Sequence, residues 1–377
     1  MRILLTGGGT AGHINPAIAI ASIVKANEPD SEIAFVGTEK ETRNDDLLRL
    51  GYPIYTVKAS GIQRSLSPSN IKALYRAVFS PYYPSTRKIL HDFKPDIVVG
   101  TGGYACWPIL VAAAREGIPT AVHESNALPG MAVRRLQNYV DRVFINFAET
   151  ADLLKAKNKT MQVGNPLRDH FGDVGREDAK EKLGIRESLL VISFGGSLGA
   201  QYLTDAVLDL MKNYTGKHPE IRHIHATGKT HYDEILKIYR GMGLDRKKNL
   251  ELRPYIDDMP YYMAASDVVI CRAGAMTTSE LALTGRAAVM VPSPYVAENH
   301  QYRNAKALCD KGAVTLVQES ELSSGKLIPE TVSLLENPAK RAEMERNIRT
   351  FAVPDANRRI YEELRRMVTA HQKAQKN

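Results

Sequence analysis

Cysteine is scarce in this chain of 377 residues: Cys106, Cys271 and Cys309 share no short spacing and are odd in number. Neither a disulfide framework nor a cysteine-based zinc site is expected, and a reducing cytoplasm fits. Long apolar runs are missing as well. The longest, Ala105 to Ala114, contains a proline and stops at Arg115, well short of the ~20 residues that a spanning helix needs. The opening Met1-Arg2-Ile3-Leu4-Leu5-Thr6 leads straight into glycines without an apolar core and cleavage site, so a secretory signal is not expected. Repeats of 20 to 50 residues and low-complexity tracts are absent too. Acidic residues fall short of basic ones, 42 Asp plus Glu against 50 Lys plus Arg, for a formal charge of +8. That surplus asks for an anionic partner: nucleic acid, an anionic membrane or a phosphorylated substrate.

What is present reads as a soluble globular protein, 44% hydrophobic and 24% charged, and at ~150 residues per domain its length suggests two domains. Short β-branched runs alternate with helical patterns, the mark of βαβ units and parallel sheets. Seven candidate strands fall in the first half: Arg2 to Leu5, Glu32 to Val36, Ile54 to Lys58, Asp96 to Val99, Thr120 to His123, Arg142 to Ile145 and Thr160 to Val163. Six follow: Leu189 to Ser193, Ile221 to His225, Leu250 to Arg253, Val268 to Cys271, Ala288 to Val291 and Ala313 to Val317. Neither period continues through Gly164-Asn165-Pro166. The expected division is therefore 1–163, 164–354 and an arginine-rich polar helix over 355–377 that packs back on the first domain. Two doubly wound, Rossmann-like α/β domains put a ligand cleft between the carboxyl ends of their strands, so function is sought in the strand-to-helix turns.

The first strand runs into Gly7-Gly8-Gly9-Thr10-Ala11-Gly12-His13, followed by Asn15 as N-cap and Pro16 at the first helical position. Glycines let the backbone approach a ligand, and helix N–H groups point at negative charge. Gly7, Gly9 and Gly12 match the dinucleotide fingerprint, which keeps an NAD-dependent oxidoreductase open. The acid that should hold the ribose, Glu39 or Glu41, comes late. Similar turns recur at Gly100-Thr101-Gly102-Gly103-Tyr104 and Gly195-Gly196-Ser197-Leu198-Gly199-Ala200. Three such loops over both halves suggest two phosphate-bearing ligands. A further turn, Cys271-Arg272-Ala273-Gly274-Ala275-Met276-Thr277-Thr278, opens a helix whose N–H groups and threonine hydroxyls suit a diphosphate. Glu280 follows at the right distance to accept from both hydroxyls of a ribose.

Taken in order, Gly8-Gly9-Thr10-Ala11-Gly12-His13 with Asn15-Pro16, Gly102-Gly103-Tyr104, His123-Glu124-Ser125-Asn126-Ala127-Leu128-Pro129-Gly130, Gly164-Asn165-Pro166-Leu167-Arg168, the Gly195 to Ala200 loop, Tyr255-Ile256-Asp257-Asp258-Met259 and Asn299-His300-Gln301-Tyr302-Arg303-Asn304-Ala305 resemble the MurG family of N-acetylglucosaminyltransferases. The matches run from residue 8 to about residue 305 of 377. The resemblance implies the two-domain GT-B architecture and conversion of lipid I to lipid II with UDP-N-acetylglucosamine (UDP-GlcNAc) as donor. It places the ribose on Glu280, the uracil at the backbone of Ile256, and the diphosphate at Ser197 and Ala275-Met276-Thr277. Gln301 would contact the sugar, with Arg168 and Asn126 closing the site and Gly9, Thr10, Ala11, Gly12, His13 and Tyr104 completing it from the first half. Three positions depart from the family: Ala11 stands where glycine is frequent, Trp107 where a small residue is common, and His300 where some members have glutamine.

No Asp-x-Asp occurs in the chain, so neither a metal nor another cofactor is expected, and helix N-termini and loop amides are left to neutralise the leaving UDP. The expected chemistry is a single in-line displacement with inversion through an oxocarbenium-like state. His13 is the candidate base, with Glu124 as alternative base or as its orienting partner; His123, on a buried strand, reads as structural. From Ser67, Ile71, Leu74, Tyr75, Val78 and Phe79 recur at helical spacing, then Tyr82-Tyr83 lies between Pro81 and Pro84. Seven basic residues and one acid lie between Lys58 and Lys94. A stripe beside such charge suits the surface of an anionic membrane on its cytoplasmic side, and leaves nucleic acid unneeded. Competing readings are a related transferase with another lipid acceptor, such as a diacylglycerol, and a non-catalytic UDP-sugar sensor.

Overall fold

A computed structural model describes residues 1–8, 11–39, 45–57, 59, 83–167, 171–185, 189–196 and 199–376. The thirteen apolar runs form thirteen strands whose bounds agree with the sequence pattern to within two residues. The near-continuous apolar content of the central strands follows from burial on both faces, while edge strands such as Thr160–Gln162 are half-exposed. Strands β1 (Arg2–Thr6), β2 (Glu32–Gly37), β3 (Ile54–Thr56), β4 (Ile97–Gly100), β5 (Thr120–Glu124), β6 (Arg142–Ile145) and β7 (Thr160–Gln162) form one sheet in the order β3-β2-β1-β4-β5-β6-β7. The second sheet runs β10-β9-β8-β11-β12-β13, built from β8 (Leu189–Phe194), β9 (Ile221–Ala226), β10 (Leu250–Arg253), β11 (Val268–Cys271), β12 (Ala287–Met290) and β13 (Thr315–Leu316). Every pairing is parallel. In each sheet the order reverses beside its first strand, between β1 and β4 and between β8 and β11, which are the switch points where such folds bind ligands.

The chain divides into two compact units, Met1–Arg168 with Asp355–Asn377, and Asp169–Pro354. The turn Gly164-Asn165-Pro166, which sequence alone assigns to the second domain, lies in the first. The Gly164 carbonyl sits 2.8 Å from His123 Nε2, while Leu167 and Asn357 exchange two hydrogen bonds of 3.2 and 3.0 Å. The last helix, Ala356–Lys376, buries Ile360, Leu364, Met367 and Val368 in the same core as Ile20 and Val24 of the first helix. Its arginines are held by carboxylates: Arg358 and Arg359 by Asp355, Arg365 by Glu28, and Arg366 by Glu363.

The first helix differs from its sequence-based outline. It spans Ala11–Asn27, so Asn15 and Pro16 lie inside it and not at its start. Pro16 offers no N–H to the Gly12 carbonyl one turn back, so the helix tolerates the proline only by giving up one bond near its end. His13 consequently stands in the first helical turn. Ala11 lies on helical backbone, where φ is negative. Among the described residues no helix is long and apolar enough to cross a membrane; the stripe from Ser67 to Tyr82 lies outside them.

Candidate functional site

In the first unit, the loops after β1 and β4 lock together. Gly8 N donates to Gly102 O at 3.3 Å, and a Cβ on Gly103, whose φ is +82°, would lie 1.9 Å from Gly8 O. Only glycine fits there. Thr101 Oγ1 donates to the carbonyl of His13 at 2.6 Å, and the Cys106 thiol reaches Gly102 O at 2.9 Å. These bonds fix the first turn of the helix against the β4 loop, with Tyr104 partly buried beside it. The half-buried His13 ring places Nδ1 2.9 Å from Gly8 O. A carbonyl can only accept, so Nδ1 carries a hydrogen, and in the neutral ring the lone pair is on Nε2. Gly12 is exposed within the same turn. Gly9 and Thr10 lie outside the described residues.

Glu124 has a different setting from that of an open base. It ends β5 at 5% exposure; Oε1 accepts from Asn126 N at 3.0 Å and Asn126 Nδ2 at 3.1 Å, and Oε2 from Gly130 N at 2.7 Å. Burial pushes its carboxyl up, and the loop's own donors pull it back. Both oxygens close the Ser125–Gly130 loop, with Asn126 drawn into the same knot. His123 is fully buried, and burial drives it down to about 4. It is neutral, donating from Nε2 to Gly164 O. Trp107 stands edge-on to Tyr139 with ring centroids 5.5 Å apart, partly buried against the sheet core.

In the second unit the equivalent loops follow β8 and β11. Gly199, at φ +79°, would put a Cβ 2.2 Å from Thr227 O, so the loop packs on the end of β9 as it enters the Gln201–Asn213 helix. Ser197 lies outside the described residues, as does Arg168. After β11, extended Gly274 caps the Ala275–Thr284 helix without any side-chain hydrogen bond. The N–H groups of Ala275, Met276 and Thr277 head that helix, ahead of its ladder of i to i−4 bonds. Thr277 Oγ1 stands at this mouth, 3.8 Å from where a Gly274 Cβ would be. Thr278 does not join it, contrary to expectation: it is buried, and its hydroxyl donates to Ala275 O at 2.7 Å.

Glu280 is partly exposed on the same helix. The turn is stiffened from behind: Arg272 pairs with Glu319 and donates to Val291 O at 3.1 Å, and buried Asn304 donates to Ala273 O at 3.2 Å. Gln301 accepts through Oε1 from Ser293 N at 2.8 Å, which leaves its NH2 as the donor end of the amide. Ile256 is 1% exposed between β10 and the Met259–Ala265 helix. His300 has Nδ1 2.9 Å from Ala297 O, and burial lowers its pKa. Among the described residues no three His, Cys, Asp or Glu side chains gather as metal ligands.

Sequence reasoning missed a buried network under the Gly195 loop. Ser193 Oγ lies 3.0 Å from His223 Nε2 and 2.8 Å from His225 Nδ1, and His225 Nε2 lies 3.1 Å from Thr204 Oγ1 in the helix that follows the loop. All four residues are at most 1% exposed. The signal was available: His223 and His225 are two apart on a strand and so share a face.

The glycosyltransferase family 28 N-terminal domain matches residues 3–145, and its C-terminal domain residues 190–360. A protein of Acetivibrio thermocellus named "UDP-N-acetylglucosamine--N-acetylmuramyl-(pentapeptide) pyrophosphoryl-undecaprenol N-acetylglucosamine transferase" is 42% identical over 96% of this chain and 97% of its own length. A protein of the same name from Caldanaerobacter subterraneus is 39% identical over 96% and 98%. Among solved structures, MurG of Acinetobacter baumannii superposes with a TM-score of 0.73 at 27% identity, covering 99% of each chain. A UDP-GlcNAc 2-epimerase of Neisseria meningitidis bound to UDP-GlcNAc, with TM-score 0.65 and 17% identity over 97% of this chain and 100% of its own, shares the fold.

Proposed function

The chain belongs to the family 28 glycosyltransferases that transfer N-acetylglucosamine to N-acetylmuramyl-(pentapeptide) pyrophosphoryl-undecaprenol, and from that membership we propose how its residues divide the work. The enzyme moves N-acetylglucosamine from UDP-GlcNAc to the muramoyl sugar of lipid I, giving lipid II for peptidoglycan synthesis. Its two parallel-sheet units are those of a GT-B transferase. The observation that carries the assignment is near full-length identity of 42% to a transferase of that name.

On this reading the first unit supplies the base and the second the donor site. The N–H groups of Ala275, Met276 and Thr277, with the Thr277 hydroxyl, receive the diphosphate and stabilise charge as it develops on the leaving UDP. Ser197 would add to them from the β8 loop. Glu280 accepts from the ribose hydroxyls, Ile256 offers its backbone to the uracil, and Gln301 donates to the sugar. His13 Nε2 takes the proton of the muramoyl hydroxyl as its oxygen bonds to the anomeric carbon. The bond from that carbon to the diphosphate breaks, and its electron pair leaves with UDP. Attack opposite the leaving group inverts the centre. Gly9, Thr10, Ala11, Gly12, Tyr104, Asn126 and Arg168 are assigned to substrate contact around these groups.

For the membrane, the stripe Ile71 to Phe79 with Tyr82, set among seven basic residues between Lys58 and Lys94, is read as a peripheral contact with the anionic cytoplasmic leaflet that holds the acceptor. Transfer of labelled N-acetylglucosamine from UDP-GlcNAc to a lipid I analogue tests the activity.

A further inference from the structure

The amino ends of β11 and β12, opposite the sugar-nucleotide loops of the second unit, carry a concentration of arginine that the transferase reaction does not use. Arg286, in the Gly285-Arg286 turn leading into β12, is 5% exposed. Its Nε has no hydrogen-bond partner among the described residues, and neither has Nε of Arg176. Arg349 arrives from the end of the Pro338–Arg349 helix and lies over the turn, so close that a Cβ on Gly285 would meet its Nε at 2.2 Å. The two carboxylates nearby have other hydrogen-bond partners. Glu345 pairs with Arg176, and its carbonyl accepts from Arg349 at 3.4 Å; Asp267 accepts from Lys180 Nζ and Leu190 N, each at 2.8 Å. Three guanidinium groups and the Lys180 ammonium therefore face two carboxylates, Glu345 and Asp267, around a cation that is almost wholly out of water.

A buried charge without its own counter-ion is strongly unfavourable. The strain shows in Arg286, where burial first and the neighbouring Arg176 next push the pKa down to about 10, still protonated at neutral pH. Two orphaned guanidinium N–H donors in one place call for an acceptor, and their planar forks match tetrahedral oxyanions.

We propose that Arg286, Arg176 and Arg349 form a binding site for a small free oxyanion of the phosphate or sulfate class. Burial of Arg286 selects the free ion over a lipid headgroup, whose glycerol and chains could not follow it in. Bound there, the ion ties the start of the Arg176–Leu183 helix and the end of the Pro338–Arg349 helix to the turn after Thr284. That turn ends the helix whose other end carries Ala275 to Thr277.

The test is thermal unfolding of the full chain with UDP held saturating, so that the nucleotide site is already filled, while inorganic phosphate is raised at constant ionic strength. The native chain should show a saturable rise in midpoint with phosphate that chloride does not reproduce. In Arg286→Met the saturable rise should vanish while UDP affinity, read by calorimetry, stays at the native value. Should Arg286→Met not fold, Arg349→Met carries the test, with an expected loss of about fivefold or more in apparent phosphate affinity. Phosphatidylglycerol vesicles should give no Arg286-dependent shift. No saturable response, an equal response to chloride, an unchanged response in the variant that folds, or an Arg286-dependent shift with vesicles would each overturn the proposal.

Discussion

Nδ1 of His13 lies 2.9 Å from the carbonyl oxygen of Gly8. That contact fixes the tautomer of the ring, and it does so from the neighbouring glycine loop and not from a carboxylate. Glu124, the other group with the right chemistry, spends both oxygens on Asn126 and Gly130. His13→Ala should therefore lower turnover by ~10²-fold or more and leave UDP affinity unchanged. Glu124→Gln keeps one acceptor oxygen for the loop and should retain most of the rate. Steady-state rates and calorimetry on the two variants check both statements; a silent His13→Ala would move the base elsewhere.

Gly103 is held at φ +82° against Gly8 O. Gly103→Ala asks a side chain to enter a left-handed backbone and a carbonyl at once, so the two loops must part. A loss of about 2 kcal/mol or more is expected in denaturant unfolding, with turnover lost and UDP affinity retained.

Ribose recognition by Glu280 has a selective signature. The native chain should prefer UDP to its 2′-deoxy counterpart, and Glu280→Ala should weaken UDP by about tenfold or more while abolishing that preference. Titration calorimetry with both nucleotides gives the answer. A preference that survives the substitution would place the ribose on another residue.

Acid should destabilise the protein through its buried histidines. Burial lowers His123 and His225 to about 4 and His223 to about 3, with the charge on His225 adding to the last. The unfolded chain binds protons near the usual ~6.5 and the folded chain does not, so stability is full above that value and falls as pH drops toward 4. Each histidine contributes up to about 1.4 kcal/mol per pH unit over that window. Glu124, pushed up by burial, works in the opposite sense. Unfolding midpoints between pH 7.5 and 4.5 should fall steeply, and His123→Asn should remove about one proton from the slope.

Much of this was legible beforehand. The central strands were, because parallel strands buried on both faces are written as nearly unbroken apolar runs, and the half-exposed edge strands, such as Thr160–Gln162, followed from their place in the alternation. So were the glycine turns, because a position such as Gly103 admits no other residue. The start of the first helix was not: Asn15-Pro16 is a strong local start signal, but the carbonyl of His13 accepts from Thr101, 88 residues away. Long-range contact likewise moved Gly164 to the first unit, through His123. Local spacing also does not say which way a threonine hydroxyl turns, and Thr278 turned inward. The arginines at Arg176, Arg286 and Arg349 are far apart in sequence and meet only in the folded unit.

Membrane contact makes its own demand. Binding to anionic vesicles should weaken with salt, and Phe79→Ser with Tyr82→Ser should weaken it further without lowering UDP affinity. Sedimentation with phosphatidylglycerol vesicles at low and high salt measures this; binding that is absent or indifferent to salt would contradict it.

The most direct measurement is a single-turnover reaction of the chain with UDP-GlcNAc and a lipid I analogue, with the product's anomeric configuration read by NMR. One UDP should be released for each N-acetylglucosamine transferred to the muramoyl sugar, and the α-linked donor should give a β-linked product. Tight UDP-GlcNAc binding without transfer, or a product that retains the donor's configuration, would contradict the account.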